Sequence, residues 1–166
     1  MRILGLDPGT AITGYGVIDL APGGEVCVVS YGVVRTPARQ PLPERLRQLY
    51  TALQDLLSLH RPAQAAVEKL FFQRNVTTAM AVGQARGVVL LALAMGEIPV
   101  AEYAPNEVKE AVTGYGSADK QQVQRMVQAL LRLAERPRPD DAADALAVAL
   151  CHAQHARFAA LSRGEP

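Results

Sequence analysis

The sequence predicts an α/β fold, with a mixed five-stranded sheet flanked by helices. Three runs rich in Val, Ile and Leu open the chain, and Pro and Gly turns separate them, as in an antiparallel meander. Further along, apolar residues recur at helical spacing in several segments, and two short apolar strands lie between these segments. This pattern favours a single sheet covered by helices.

The first three strands are predicted at residues 2–7, 15–20 and 25–36. Pro8-Gly9 follows the first strand, and Pro22-Gly23-Gly24 separates the second from the third. Both are strong turn signals, so consecutive strands are expected to pair antiparallel.

The middle of the chain alternates between helix and strand. Five leucines between Leu46 and Leu57 recur at helical spacing, and the pattern stops before Pro62. Residues 65–69 form a short buried strand. A long helix is predicted over residues 76–95, ended by Gly96, and a fifth strand over residues 98–103.

Helices fill the rest of the chain. A short one follows Pro105, with Val108 and Val112 facing inward. A longer one is expected to be capped by Ser117. Its inward residues are predicted to be Val123, Val127, Leu130 and Leu131. The last helix is predicted over residues 140–158, leaving about eight residues as a flexible tail.

Composition indicates a single globular domain. The chain has 166 residues, of which 49% are hydrophobic, and no linker or repeat divides it. Cys27 and Cys151 lie in apolar segments, which favours buried free thiols in a reducing compartment. No segment resembles a signal peptide, and the longest apolar run, residues 88–95, is too short to cross a bilayer. A soluble cytoplasmic protein is expected.

Acidic residues from three parts of the sequence are predicted to converge. Asp7 ends the first strand and Glu68 the fourth, while Asp141 and Asp144 share one helix face at spacing i, i+3. Asp140, taken alone, is more simply a solvated charge. Carboxylates brought together repel one another unless cations lie between them. The group therefore predicts a Mg²⁺ or Mn²⁺ site, where two ions about 3.5 to 4 Å apart can support phosphoryl transfer.

Net charge gives a mixed indication about nucleic acid. The formal value of +1 argues against a nucleic-acid partner. Setting the four predicted ligands aside, however, leaves 12 of the 16 acidic residues against 17 basic ones. The remaining surface is therefore mildly basic.

Five segments follow one another along nearly the whole chain: DPGTAITGYGVI from Asp7, VEKLFF from Val67, GQARG from Gly83, VKEAVTGYGSADKQQVQ from Val108 and DDAADALAVALCH from Asp140. Together and in this order they closely resemble the RuvC family of bacterial Holliday-junction resolvases. The resemblance implies a ribonuclease-H-like fold, a homodimer, and Mg²⁺-dependent cleavage of two opposed strands of a four-way DNA junction. It also implies an in-line attack by water that leaves a 5′-phosphate and a 3′-hydroxyl.

The resemblance assigns the catalytic and metal-binding acids to Asp7, Glu68, Asp141 and Asp144. Some members of the family carry His at the position of Asp141. Two Mg²⁺ ions per subunit are expected, and Mn²⁺ can substitute. A branch-migration helicase complex of RuvA and RuvB is the expected protein partner.

DNA and dimer contacts also follow from the resemblance. Phe71 matches an aromatic residue that contacts bases near the crossover, and its neighbour Phe72 is either a second DNA contact or a core residue. Lys109 and Lys120 match lysines that contact the DNA backbone. The secondary candidates are Arg74, Arg86 and Arg125. Gly83 and Gly87 leave a flat strip on the long helix, which forms the dimer contact in the family; packing against the chain's own sheet is the alternative.

Other functions remain open on the sequence alone. The sugar kinase and actin ATPase group shares the sheet and the Asp-x-Gly-Thr turn, but it needs a second phosphate loop and a second domain, for which this chain is too short. An rRNA-processing nuclease of the same fold would carry similar acids, and a non-catalytic junction-binding module would not need them. His60 is predicted to interact with the dipole at the end of its helix, and His152 and His155 are predicted to be structural or solvated.

Overall fold

The computed structural model describes residues 1–9, 11–69 and 76–163. Its strands are β1 (Arg2–Asp7), β2 (Ile12–Leu20), β3 (Val26–Arg35), β4 (Gln64–Glu68) and β5 (Val100–Tyr103). Its helices are α1 (Leu42–His60), α2 (Val76–Met95), α3 (Pro105–Thr113), α4 (Lys120–Leu130) and α5 (Asp140–Ser162). These elements confirm the predicted mixed five-stranded sheet flanked by helices. None of the helices in the described ranges is long and apolar enough to span a membrane.

The sheet has the strand order β3-β2-β1-β4-β5. The first three strands form the predicted antiparallel meander, and β4 and β5 run parallel to β1. Because Leu6 pairs with Val67 in the parallel register, the carboxyl ends of β1 and β4 lie side by side. The sheet therefore brings Asp7 and Glu68 to the same edge.

Two apolar cores cover the two faces of the sheet. Side chains alternate along β1, so that Ile3 joins one core while Leu4 and Leu6 join the other. The Ile3 side packs against α3, α4 and α5. The Leu4 side packs against α1 and α2. Helix α5, which carries Asp141 and Asp144, and the long helix α2 thus lie on opposite faces.

Helix α5 lies directly against the backbone of β1 and β2. A Cβ atom added at Gly5 would overlap the carbonyl oxygen of Ala145, and one added at Gly14 would overlap the carbonyl oxygen of Asp141. Gly5 and Gly14 therefore permit a backbone-to-backbone approach that any larger residue would block. This contact sets the height of the first turn of α5 above the sheet.

The N-cap predicted for α4 is wrong by two residues. The cap is Asp119, whose Oδ1 accepts a hydrogen bond from the Gln122 backbone N–H at 2.8 Å. Gln122 Oε1 in turn accepts from the Asp119 backbone N–H at 2.9 Å. Three residues after Ser117 stands Lys120, which has no acceptor for the reciprocal bond, so the capping box selects Asp119.

Three smaller predictions also need correction. Leu130, predicted to face inward, is 42% exposed, because Leu131 closes the core at the end of α4. Cys27 is exposed and only Cys151 is buried. Cys27 lies on the edge strand β3, where alternate side chains face away from the core. Helix α5 extends to Ser162, four residues beyond its predicted end at Phe158.

Candidate active site

Asp7 and Glu68 form the centre of an acidic site at the carboxyl edge of the sheet. Their side chains are hydrogen-bonded to each other. Burial, together with the charges of Glu68, Asp144 and Asp141, raises the pKa of Asp7 to about 8. Since all three carboxylates act on Asp7, acids from β1, β4 and α5 lie close together.

Helix α5 supplies the other two acids from its first turns. Asp141 sits where the helix meets Gly14, the residue paired with Asp7 in the β1–β2 ladder. Burial raises the pKa of Asp144, although Lys120 acts in the opposite direction. The contact between α5 and the strand glycines therefore fixes these acids beside Asp7.

Two lysines border the acidic group. Burial and the charge of Asp144 raise the pKa of Glu68, while the charges of Lys109 and Lys120 lower it. The Lys120 ammonium lies 3.1 Å from Asp144 and 3.4 Å from Asp140. Cations therefore flank the site without neutralising it, and Asp7 remains surrounded by carboxylates.

Asp140 and Asp141, adjacent in sequence, have different surroundings. Asp141 is one of the charges that act on Asp7. Asp140 instead accepts a hydrogen bond from Gln124 at 2.9 Å and contacts Lys120. The Gln124 hydrogen bond and Lys120 lower the pKa of Asp140. Asp141 and Asp144 thus face the acidic group, and Asp140 faces α4.

The donor set fits a hard divalent cation. It consists of carboxylate oxygens alone, and burial first, with repulsion between the carboxylates second, raises the pKa values of Asp7, Glu68 and Asp144. Among the described residues, no three potential ligands are already drawn into a closed metal-binding arrangement. The Asp144 carboxylate is instead paired with Lys120.

Comparison with known proteins assigns the chain to a family. The family model for crossover junction endodeoxyribonuclease RuvC matches residues 3–152. The chain belongs to the RuvC family. The RuvC of Brevibacillus brevis is 54% identical over 164 residues, covering 99% of this chain and 98% of the relative. That of Desulfitobacterium hafniense is 59% identical over 153 residues, covering 92% of each.

Solved structures agree with this family. The Thermus thermophilus RuvC structure matches with a TM-score of 0.89 and 39% identity, over 96% of this chain and 97% of that one. T. thermophilus RuvC in complex with Holliday junction substrate matches with a TM-score of 0.90 and 39% identity, over 96% of each chain. The yeast mitochondrial Holliday junction resolvase, at 14% identity and a TM-score of 0.63, shares the fold over 96% of this chain and 85% of its own. The predicted ribonuclease-H-like fold and the nuclease activity of a RuvC-family endodeoxyribonuclease are thus confirmed.

The other residues predicted to contact DNA fall into separate environments. Phe71, Phe72 and Arg74 lie outside the described residues. Arg86 forms an ion pair with Glu102, and its side chain is only 20% exposed, so it has a structural partner within the subunit. Arg125 is exposed on α4 and donates a hydrogen bond to Gln121. Of the predicted basic contacts that the structure describes, Lys109 and Lys120 act most directly on the acidic site of this RuvC-family chain.

The predicted dimer helix α2 has an uncovered apolar face. Its other side is buried against α1, through residues such as Ala85, Val89 and Leu93. A Cβ atom at Gly87 would meet nothing within 4 Å, so this glycine does not pack against the sheet of its own subunit. Gly83 is half-buried one turn earlier.

The histidines contact other parts of the fold. His152 is buried, with the Tyr103 hydroxyl 2.8 Å from Nδ1 and the Gln64 side-chain oxygen 2.7 Å from Nε2. Burial lowers the pKa of His152, which favours the neutral ring. His155 stacks on Tyr103 with ring centroids 4.9 Å apart. These contacts confirm the structural role predicted for both residues.

Sequence reasoning missed the glycines that position α5. Gly5 and Gly14 bind nothing themselves, but they bring Asp141 and Asp144 to the sheet edge. The available signal was glycine inside predicted strands, which often marks a close backbone approach.

Proposed function

We propose that this chain is a divalent-metal-dependent Holliday-junction resolvase that nicks two opposed strands of a four-way DNA junction in recombination and repair. The observation that carries the proposal is the convergence of Asp7, Glu68 and Asp144 with Asp141 at one sheet edge, bordered by two lysines. The RuvC-family relatives support the DNA junction as substrate, because one solved relative is in complex with a Holliday junction. An rRNA-processing nuclease would use similar acids, but the family match favours the resolvase.

Asp7, Glu68, Asp141 and Asp144 would hold Mg²⁺, two ions per subunit, with Mn²⁺ as a substitute. Bound divalent cations would supply a more acidic attacking water and stabilise the leaving oxygen. The charges of the acids on β4 and α5 all act on Asp7, so Asp7 would be a central member of this ligand set. Among the described histidines, His152 already has both ring nitrogens in hydrogen bonds, which leaves it no free nitrogen for this chemistry.

The lysines would hold the DNA backbone against the acidic group. Lys109 and Lys120 both act electrostatically on Glu68, so a phosphate that contacts them lies beside the acids. Phe71 or Phe72, directly after β4, would stack on a base at the crossover, with Arg74 as a further DNA contact. Phosphate contacts would supply most of the affinity, and the aromatic contact would orient the scissile strand.

A homodimer would form through α2, including Gly83 and Gly87. Met80 is 62% exposed, Leu91 54% and Met95 65%, and with Gly87 they follow one face of the helix at spacings of seven and four residues. An uncovered apolar stripe of this kind marks an interaction surface. Two-fold symmetry about it would give one site for each of the two opposed strands. Within the cytoplasm, the RuvA and RuvB helicase complex would be the further partner.

The test is cleavage of a synthetic four-way junction, compared with a fork, a linear duplex and a structured RNA, each with and without Mg²⁺. We expect symmetric paired nicks in the junction, only with Mg²⁺ or Mn²⁺. Ca²⁺ should allow binding but little cutting, because its looser coordination positions water less well. Asp7→Asn is the inactive control. Preferential cutting of RNA, or cutting of the junction without divalent metal, would overturn the proposal.

A further inference from the structure

Lys120 lies at an unfavourable position in its helix. It is the first residue of α4, where the helix carries partial positive charge and a cation is destabilising. Its ammonium reaches α5 instead, where Asp144 and Asp140 lie 3.1 and 3.4 Å away. Two acids of α5 thus compensate for the unfavourable position of the Lys120 cation, and of these only Asp144 faces the acidic group.

The second acid, Asp140, is held in place by its own hydrogen bond. Gln124 Nε2 donates to Asp140 Oδ1 at 2.9 Å, while Lys120 contacts Oδ2. Gln124 and Lys120 are four residues apart on α4 and so share the face turned toward α5. Asp140 therefore has one oxygen fixed by an amide and the other free to accept the ammonium.

We propose that Asp140, oriented by Gln124, is a positioning residue that shares Lys120 with Asp144 and thereby leaves Asp144 available to a divalent cation. This inference rests on the metal site of the proposed function. Asp144 cannot offer all its oxygens to a cation while it is the sole partner of Lys120. Asp140 supplies the ammonium with a second carboxylate, so Lys120 stays paired at the site edge when Asp144 turns to the metal.

The test uses the full-length protein without DNA and needs no cleavage. Tm is measured against Mg²⁺ concentration to obtain the half-saturating concentration for the parent, D140N, K120M and the double variant. In D140N, Lys120 pairs with Asp144 alone and competes with the metal. We expect the half-saturating concentration to rise about 2- to 5-fold, the size expected for a partly exposed ion pair.

The double variant separates the ion pair from simple loss of charge. Neutralising Asp140 removes a negative charge near the metal whatever Lys120 does. If sharing is the cause, D140N has a clearly smaller effect in the K120M background than in the parent. Equal effects in both backgrounds would overturn the inference, because Asp140 would then act only through its charge.

Gln124→Leu is the charge-neutral control. It removes the hydrogen bond that orients Asp140 without changing any charge, and it should shift half-saturation in the same direction as D140N, by a smaller amount. An unchanged value in Q124L would contradict the orienting role. Asp144→Asn tests the metal site itself, because it removes a proposed ligand and should weaken the Mg²⁺-dependent rise in Tm. If the parent shows no such rise, the proposed function fails. If the parent shows the rise and D140N leaves it unchanged, only the inference about Asp140 fails.

Discussion

Asp7 combines burial with like charge, so its protonation is coupled to the stability of the fold. Its carboxyl group ends an otherwise apolar strand and faces Glu68, Asp144 and Asp141. In the folded protein these surroundings raise its pKa from 3.8 to about 8. The folded state thus binds a proton that the unfolded chain releases at a lower pH, and this linkage makes stability depend on pH.

Asp7→Asn tests both consequences. Without metal, the contribution of Asp7 to the free energy of unfolding is fully present below its ordinary pKa and is lost as pH rises toward about 8. Asn at this position does not titrate, so the variant does not lose stability in this way as pH rises. The Tm of the variant minus the Tm of the parent should therefore increase between pH 4 and pH 8. Single-turnover cleavage should fall by orders of magnitude, because a metal ligand is lost.

Asp55→Asn is a matched control on the exposed surface of α1, and it should change neither quantity. A Tm difference between Asp7→Asn and the parent that is constant across this pH range would contradict the raised pKa. Retained cleavage in Asp7→Asn would contradict the metal-ligand role.

Lys109 is expected to act through phosphate. Lys109→Ala should weaken junction binding similarly for all junction sequences and reduce the log–log salt slope by about one unit. Arg47→Ala, on the exposed surface of α1, serves as the control for general charge loss. The measurement is junction affinity at several salt concentrations. An unchanged slope with an altered cleavage-site preference would indicate a base contact instead.

At the scale of elements, the packing of α5 on β1 and β2 decides where two of the four acids lie. The contact is made by backbone, with Gly5 and Gly14 under the helix and Ala145 and Ala149 above Gly5. No long, flexible side chain lies at this contact that could move aside for an added Cβ atom. The first turn of α5 must therefore move if either glycine gains a side chain.

Gly14→Ala should move that turn, because its Cβ would overlap the carbonyl oxygen of Asp141. We expect a stability loss of about 1 to 3 kcal/mol from overpacking. Since misplacement by about 1 Å can cost on the order of 100-fold in rate, cleavage should fall well beyond what the stability loss explains. Gly96→Ala is the control, because its Cβ would meet its nearest atoms at an ordinary 3.4 Å. Parent-like single-turnover cleavage by Gly14→Ala would show that the helix tolerates the shift.

The elements themselves were largely predictable from local patterns. Strand alternation and helical leucine spacing gave all five strands and the helices with small boundary errors, because those patterns reflect which faces are buried. Contacts between elements were harder to predict from the sequence than the elements themselves. The pairing of Lys120 with Asp140 depends on how α4 crosses α5, and the exposure of Cys27 depends on β3 being an edge strand. Neither relation leaves a signal within one segment.

At the scale of the whole molecule, the two faces of the sheet have separate roles. The core that includes Val127 and Leu146 supports the helices next to the acids, while the core that includes Leu53 and Val89 supports α2. The apolar stripe of α2 therefore points away from the layer that carries α5. A dimer through α2 would leave both acidic sites open to DNA.

Gly87→Leu tests this arrangement. Because no atom lies within 4 Å of a Cβ at this position, the substitution should fold normally as a subunit but obstruct close approach of a second copy. Sedimentation should show a shift toward monomer, and paired incision should fall relative to single nicks. Thr51→Leu, at an exposed position on α1, is the control for added apolar surface. A variant that remains dimeric with full paired incision would place the interface elsewhere.

The separation of the two cores also means that association of the subunits would not depend on the state of the acidic site. A subunit disabled at Asp7 keeps an unaltered α2, so it should associate with an active subunit as readily as with its own kind. Mixtures of parent and Asp7→Asn protein would then contain hybrid particles with one working site, which cut only one strand. Such hybrids would leave nicked junctions that persist, and the yield of these junctions would report the fraction of hybrid particles.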